Sequence, residues 1–178
     1  MQNETVIAGF GGQGVLFVGK VLAHAALEVG MEVTWFPSYG PEMRGGTANC
    51  TVIFSDEEIG SPQVLNPTSA IVMNQPSLDK YEDMVVKDGY LIVNTSMTNR
   101  KVKRQDIHAV SLPATEIAEE IGDTRLTNIV MLGALIKASK FFGQAEMEAA
   151  LKKSLEGKKG ELAAANIIAL QKGFEFMG

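Results

Sequence analysis

Residues 6–15 read VIAGFGGQGV, and this stretch decides the fold. A short apolar run leads into a group of glycines, and an apolar, alanine-rich stretch follows over 16–29, so the order predicts a strand, a turn and a helix. Gly9, Gly11 and Gly14 match the spacing G-x-G-x-x-G, in which residues without Cβ allow a tight turn and N–H groups of the helix start face the loop. Such a turn suits an anion, commonly a phosphate, although glycines also serve only to let helix and strand pack closely.

The length and composition bound the architecture. A chain of 178 residues with 46% hydrophobic content is long enough for one core, and no linker or repeat divides it, so we expect a single domain over 1–178. The net charge of -5 and the pI near 5.1 disfavour nucleic acid and membrane surfaces as partners. No apolar run approaches the ~20 residues that span a bilayer, and no signal-peptide pattern is present, so we expect a cytoplasmic location.

The sequence offers few ligands for a metal. Cys50 is the single cysteine, so the chain can form neither an internal disulfide nor the usual four-thiolate iron–sulfur site. His24 and His108 stand alone on a helix pattern and a strand pattern, and each is expected to be structural. We therefore predict no metal site and no catalytic residue in this chain.

After the first helix, strand patterns and helix patterns continue to alternate. Further strands are predicted over 32–36, 47–54, 70–73, 90–93 and 107–110, and further helices over 76–84, 113–121, 126–142, 144–155 and 161–176. Pro37 is expected to end the second strand. This order predicts an α/β fold with a single Rossmann-like, doubly wound, largely parallel sheet and a helical C-terminal third.

The second strand lacks a feature of most dinucleotide sites. An Asp or Glu usually stands at its end, about 20 residues past the glycines, and binds the ribose 2′-OH. Here the strand ends in Trp35-Phe36-Pro37, and its acid, Glu32, lies at its beginning. The sequence therefore argues against an ordinary NAD site.

Two further segments have the composition of a binding loop. Residues 38–46, SYGPEMRGG, join two strands through turn formers instead of a helix, and Arg44 is suited to hold a phosphate or carboxylate. The alternative for Arg44 is a surface pair with Glu42. Residues 94–96, Asn-Thr-Ser, follow another strand, where they either reach a ligand or cap the turn.

Taken together, GFGGQGV at 9–15 and PSYGPEMRGG at 37–46 resemble the gamma subunits of 2-oxoacid:ferredoxin oxidoreductases. The resemblance continues through the segments 59–62, 73–78 and 126–128 to Gly133, and so covers nearly the whole chain. The tyrosine of SYG and the ending MRGG look more like the 2-oxoglutarate or branched-chain oxoacid enzymes than the pyruvate enzymes.

The resemblance implies a complex that decarboxylates a 2-oxoacid on thiamine diphosphate with magnesium, passes electrons through iron–sulfur clusters to ferredoxin and releases acyl-CoA. It implies partner subunits: alpha and beta subunits with the thiamine site, and a ferredoxin-like subunit with the clusters. Contact with a second copy of this chain is a further expectation. Because this chain lacks a cysteine set and the G-D-G…N motif, we expect an accessory subunit that is inactive alone. The resemblance also implies that its glycine loop and its Arg-bearing loop contact CoA.

The two loops are expected to leave neighbouring strands at their carboxyl ends and to form one anion-accepting edge. The candidate binding residues, to which the resemblance adds the last, are Gly9, Gly11, Gly12, Gln13, Gly14, Ser38, Tyr39, Arg44, Gly45, Thr95 and Asn128. The alternative function is a free-standing nucleotide- or flavin-binding enzyme of Rossmann-like fold. The missing ribose acid and the joint presence of both loops favour the subunit.

Overall fold

A computed structural model describes residues 1–38, 47–157 and 160–176. Over these ranges the strands are β1 (Gln2–Phe10), β2 (Glu32–Ser38), β3 (Thr47–Ser55), β4 (Ser69–Val72), β5 (Tyr90–Asn94) and β6 (His108–Leu112). The helices there are α1 (Val15–Glu28), α2 (Gln75–Tyr81), α3 (Ala114–Ile121), α4 (Thr127–Ser139), α5 (Gln144–Ser154) and α6 (Gly160–Glu175). None of these helices is long and apolar enough to cross a membrane.

The described strands form one sheet in the order β2-β3-β1-β4-β5-β6. Strands β1, β4, β5 and β6 are parallel, whereas β3 is antiparallel to both β1 and β2, so β2 points in the same direction as β1. The predicted α/β fold with a largely parallel sheet is therefore confirmed.

Two details of the sequence prediction are wrong. Pro37 does not end β2, because the strand continues to Ser38 with Pro37 opposite Cys50. Since β2 lies at the edge of the sheet, a residue without an N–H is tolerated there. The glycine loop and the segment after Ser38 also do not leave neighbouring strands, because β3 lies between β1 and β2.

Helices cover both faces of the sheet, as the doubly wound prediction requires. On one face, Ile7 and Ile71 belong to a core that includes Leu22 of α1 and most of α4. On the opposite face, Val6 packs in a second core with Leu78 of α2. Because β1 leads into α1 on one face and β4 leads into α2 on the other, the chain changes direction between these two adjacent strands.

The helical C-terminal third packs tightly on itself. Helix α4 is buried over residues 127–136, and it lies directly against α6. A Cβ added at Gly173 would lie 1.8 Å from the carbonyl oxygen of Val130, and one added at Gly133 would lie 2.2 Å from that of Leu170. Glycine at these two positions therefore sets the distance between the helices.

Candidate functional site

A cavity of about 240 Å³ opens at the carboxyl edge of the sheet, beside the ends of β1 and β4. Its described lining consists of Gly12, Gln13, Met73, Met97, Thr115, Thr124, Arg125 and Thr127. Helices leave β1 and β4 toward opposite faces, so the cavity lies at the change of direction where open α/β sheets bind ligands.

The glycine loop forms one wall of this cavity. Gln13 N donates to Phe10 O at 3.2 Å and closes the turn between β1 and α1. Gly12 and Gly14 have φ angles of 92° and 73°, which favour glycine. Gly14 is also the N-cap of α1, so no side chain caps the start of this helix. The helix end that faces the loop therefore suits a negatively charged ligand.

The side chain of Gln13 folds back onto its own loop. Its Oε1 accepts hydrogen bonds from Phe10 N at 2.6 Å and from Asn74 Nδ2 at 3.4 Å. Asn74 in turn caps α2, since its Oδ1 accepts from Ser77 N at 3.0 Å. Because the amide oxygen of Gln13 is occupied, this residue can offer a ligand only its NH₂ group.

Gly9 and Gly11 support the loop at its base. Gly9 lies in β1 opposite Ala48, and a Cβ there would lie 2.6 Å from Gln13 Oε1. Gly11 follows the strand and is half-buried. The predicted site residues of the first loop are thus brought together, and a side chain at Gly9 would collide with the folded-back Gln13.

Asn128 reaches the same loop from the start of α4. Its Nδ2 donates to Gly14 O at 3.2 Å, and its Oδ1 accepts from Ile129 N at 2.9 Å. A Cβ on Gly14 would lie 2.3 Å from Asn128 Nδ2. Asn128 is therefore placed behind the loop, where it holds the backbone.

In the turn after β5, Asn94 has a capping role and Met97 reaches the cavity. Asn94 is fully buried and makes capping contacts, because its Oδ1 accepts from Ser96 N and from Ala114 N, both at 3.2 Å. Thr95 is exposed in a short 3-10 helix, Thr95–Met97. Met97 is the residue of this turn that lines the cavity.

The second predicted loop is only partly described. Ser38 is exposed at the end of β2, opposite Asn49, and β3 lies between β2 and β1 in the sheet. Tyr39, Arg44 and Gly45 lie outside the described residues. The structure therefore brings the first loop and Asn128 together and places Ser38 farther along the same edge of the sheet.

Arg125 and Thr115 line the cavity but were not predicted. Arg125 forms an ion pair with Asp123, with Nη2–Oδ2 and Nε–Oδ1 distances of 2.7 and 2.9 Å, and its side chain is 83% exposed. The hydrogen bond from Arg125 lowers the pKa of Asp123 below its ordinary value. The available signal was a basic residue directly before the Leu-Thr-Asn segment at 126–128.

The chemistry of the cavity favours binding. Among the described residues that line it, the polar groups are hydroxyls, an amide and a guanidinium, and no carboxylate, imidazole, amine or thiol is present. Over the described ranges there is also no group of three or more His, Cys, Asp or Glu side chains that could hold a metal ion. The lining can donate hydrogen bonds to an anion, but it contains no group suited to proton transfer near neutral pH.

Residues 4–176 match the family model for pyruvate ferredoxin/flavodoxin oxidoreductase. The 2-oxoglutarate synthase subunit KorC of Methanothermobacter marburgensis is 39% identical over 184 aligned positions, covering 99% of this chain and 97% of KorC. Ketoisovalerate oxidoreductase subunit VorA of the same organism is 45% identical over 130 residues, covering 73% of this chain and 27% of VorA. The chain thus spans about a quarter of the length of VorA.

The fold agrees with these matches. The gamma subunit of a keto/oxoacid ferredoxin oxidoreductase from Geobacter sulfurreducens superimposes with a TM-score of 0.85 at 26% identity, covering 98% of this chain and 95% of that subunit. The resemblance to gamma subunits, which the two loops and the later segments indicated, is confirmed over nearly the full length. The chain belongs to the pyruvate ferredoxin/flavodoxin oxidoreductase family.

Proposed function

We propose that this chain is the gamma subunit of a 2-oxoacid:ferredoxin oxidoreductase complex that converts 2-oxoglutarate to its acyl-CoA and reduces ferredoxin. The 2-oxoglutarate synthase subunit KorC supports this substrate, because KorC and this chain cover each other almost completely. VorA is more similar over a shorter stretch, so a branched-chain oxoacid is the second candidate. The family match over 4–176 supports a single domain of gamma type.

The partners in this proposal are the alpha, beta and ferredoxin-like subunits. They would bind thiamine diphosphate, magnesium and the iron–sulfur clusters, since one cysteine cannot supply the four thiolates of a cluster. The chain would then be inactive alone and act in the cytoplasm as part of the assembly. The alternative of a free-standing nucleotide enzyme is weakened because β2 has no acid at its carboxyl end, where the ribose of a dinucleotide would bind. Glu32, the acid in β2, instead pairs with Ser55 at the edge of the sheet opposite the glycine loop.

Within the complex, we assign CoA contact to the cavity beside the glycine loop. The observation that supports this role is a cavity at the carboxyl edge of β1 and β4 that is lined by hydrogen-bond donors and by no described acid. Its volume of about 240 Å³ is below the usual range for a site that encloses a whole ligand. The cavity would therefore receive the diphosphate of CoA, and the remainder would extend along neighbouring surfaces.

A charge placed at the loop tests this assignment. Gly12 lines the cavity, and a Cβ there would meet no atom within 4 Å. We expect Gly12→Asp to raise the CoA KM of the assembled complex about tenfold, because a carboxylate repels the diphosphate. Gly12→Asn is the matched control, since it has the same shape and the same strain at positive φ without the charge.

The result is read from the difference between the two variants. The 2-oxoacid KM and the recovery of the complex should be equal in both. Equal CoA KM values for Gly12→Asp, Gly12→Asn and the parent complex would show that this loop does not contact CoA.

A further inference from the structure

The orientation of one buried amide determines what a neighbouring hydroxyl can do. Asn94 Oδ1 accepts from two backbone N–H groups, those of Ser96 and Ala114, so the positions of oxygen and nitrogen in this amide are fixed. Asn94 Nδ2 must therefore act as a donor, and it donates to Thr115 Oγ1 at 3.1 Å. Thr115 thus receives its hydrogen bond from a side chain that is fully buried and cannot turn around.

The hydroxyl proton of Thr115 is consequently directed elsewhere. A threonine hydroxyl has one proton to donate and two lone pairs, and the contact with Asn94 occupies a lone pair. Over the described part of the chain, this contact is the one hydrogen bond that Thr115 Oγ1 makes. Since Thr115 lines the cavity at the first turn of α3, its proton is available to a ligand there.

Arg125 lines the same cavity, and one side of its guanidinium is hydrogen-bonded to Asp123. Asp123 accepts from Nε and Nη2, and no described group accepts from Nη1. The ion pair therefore engages Nε and Nη2 and leaves the N–H donors of Nη1 available to a ligand. Asp123 is not among the residues that line this cavity.

We propose that Thr115 and Arg125, which belong to the same cavity lining as the glycine loop, form a second wall of the anion site and bind the diphosphate group of CoA. This inference rests on the proposed function. It adds two side chains that would bind the diphosphate group in particular, and not the other parts of CoA. The glycine loop supplies backbone groups, Thr115 a hydroxyl donor and Arg125 the positive charge. The wall is built from segments about 100 residues away from the glycine loop in sequence.

The test removes the hydroxyl of Thr115 and the guanidinium of Arg125 by substitutions that keep the side chains close to their original size. In the assembled complex, Thr115→Val and Arg125→Gln should each raise the CoA KM about tenfold and leave the kcat at saturating CoA unchanged. Inorganic pyrophosphate should compete with CoA in the parent complex, and both variants should raise its inhibition constant by a similar factor. Thr115→Ser, which retains the hydroxyl, should restore both values.

Controls separate this inference from loss of folding and from the proposed function itself. Lys137→Gln removes a positive charge on α4 outside the cavity and should change neither constant. The second wall is wrong if pyrophosphate does not compete with CoA, or if Thr115→Val and Arg125→Gln leave both constants unchanged. CoA binding at the loop still stands in either case if Gly12→Asp raises the CoA KM. If Gly12→Asp is also without effect, the assignment of CoA contact to this cavity is wrong as well.

Discussion

Asn128 donates a hydrogen bond to the carbonyl oxygen of Gly14 at 3.2 Å and thereby joins the start of α4 to the glycine loop. The backbone N–H of Ile129 donates to Asn128 Oδ1, so the amide is oriented with its nitrogen toward the loop. Asn128 is buried, and the two partners are 114 positions apart in sequence. The loop is therefore held from behind by the protein before any ligand binds.

Replacing Asn128 with aspartate should loosen this connection. The substitution keeps the shape of the side chain but places a carboxylate oxygen near the carbonyl of Gly14, so a donor is replaced by an acceptor. We expect a loss of about 1–3 kcal/mol in the free energy of unfolding, measured by urea denaturation. Asn99→Ala, at an exposed position, is the control and should be near neutral. Equal stability of Asn128→Asp and the parent chain would contradict a structural role for the contact.

A buried carboxylate holds the segment between β5 and β6 against α2. Glu82 is 3% exposed, and its carboxylate accepts from Arg100 Nη1 at 2.6 Å and from the backbone N–H groups of Lys103 and Arg104. Burial raises the pKa of Glu82, but these donors together lower it by more, so the net pKa lies below its ordinary value of 4.5. The charged form of Glu82 therefore stabilises the folded state.

Glu82→Gln should lower the free energy of unfolding by about 1–3 kcal/mol at neutral pH, because a charged acceptor becomes a neutral amide. A carboxyl with a depressed pKa contributes stability above its unfolded-state pKa and loses it as the pH falls through the folded-state value. The difference between parent and variant should thus shrink when urea unfolding is repeated below pH 4.5. Asp106→Asn, which alters an exposed ion pair, should have a smaller effect. A difference independent of pH would show that the charge of Glu82 is unimportant.

The single cysteine should be unreactive in the folded protein. Cys50 is fully buried in β3, and burial raises the pKa of its thiol to about 12. Because the thiolate is the reactive form, we expect almost no labelling by a thiol reagent at pH 8.5 in the native state and rapid labelling in urea. Rapid native labelling would mean that β3 opens readily or that the thiol is more accessible than its packing indicates.

The sequence was most informative where a local pattern has one structural solution. Glycines after an apolar run correctly predicted the turn between β1 and α1, and the alternation of patterns correctly predicted the α/β class. The order of strands was not predictable in the same way, because the pairing of β3 between β1 and β2 depends on long-range contacts. Pro37 was misinterpreted for a related reason, since its tolerance depends on β2 lying at the sheet edge.

The cavity was harder to predict than the loop. Thr115 and Arg125 belong to segments with no motif of their own, and only the fold brings them beside Gly12. The sequence left two roles open for Asn94, ligand contact and capping. The structure supports capping, because Asn94 is fully buried and its Oδ1 accepts hydrogen bonds from two backbone N–H groups. Short polar residues after a strand serve either as caps or as ligand contacts, and the sequence looks the same in both cases. Only the surrounding structure tells the two roles apart.

Arg44 lies outside the described residues, and its role remains a prediction from the sequence of the second loop. A hydrogen bond from a guanidinium to a charged group contributes about 1.5–3 kcal/mol, so Arg44→Ala should raise the CoA KM of the assembled complex about tenfold or more if the bond is made. If Arg44 instead binds a partner subunit, less complex should be recovered by gel filtration while the CoA KM of the surviving complex stays unchanged. Glu42→Ala is a useful companion, because a simple surface pair between these two residues predicts small and equal effects for both substitutions. Both measurements belong on the same preparation, since unchanged assembly and unchanged CoA KM in Arg44→Ala would together refute a functional role for this loop.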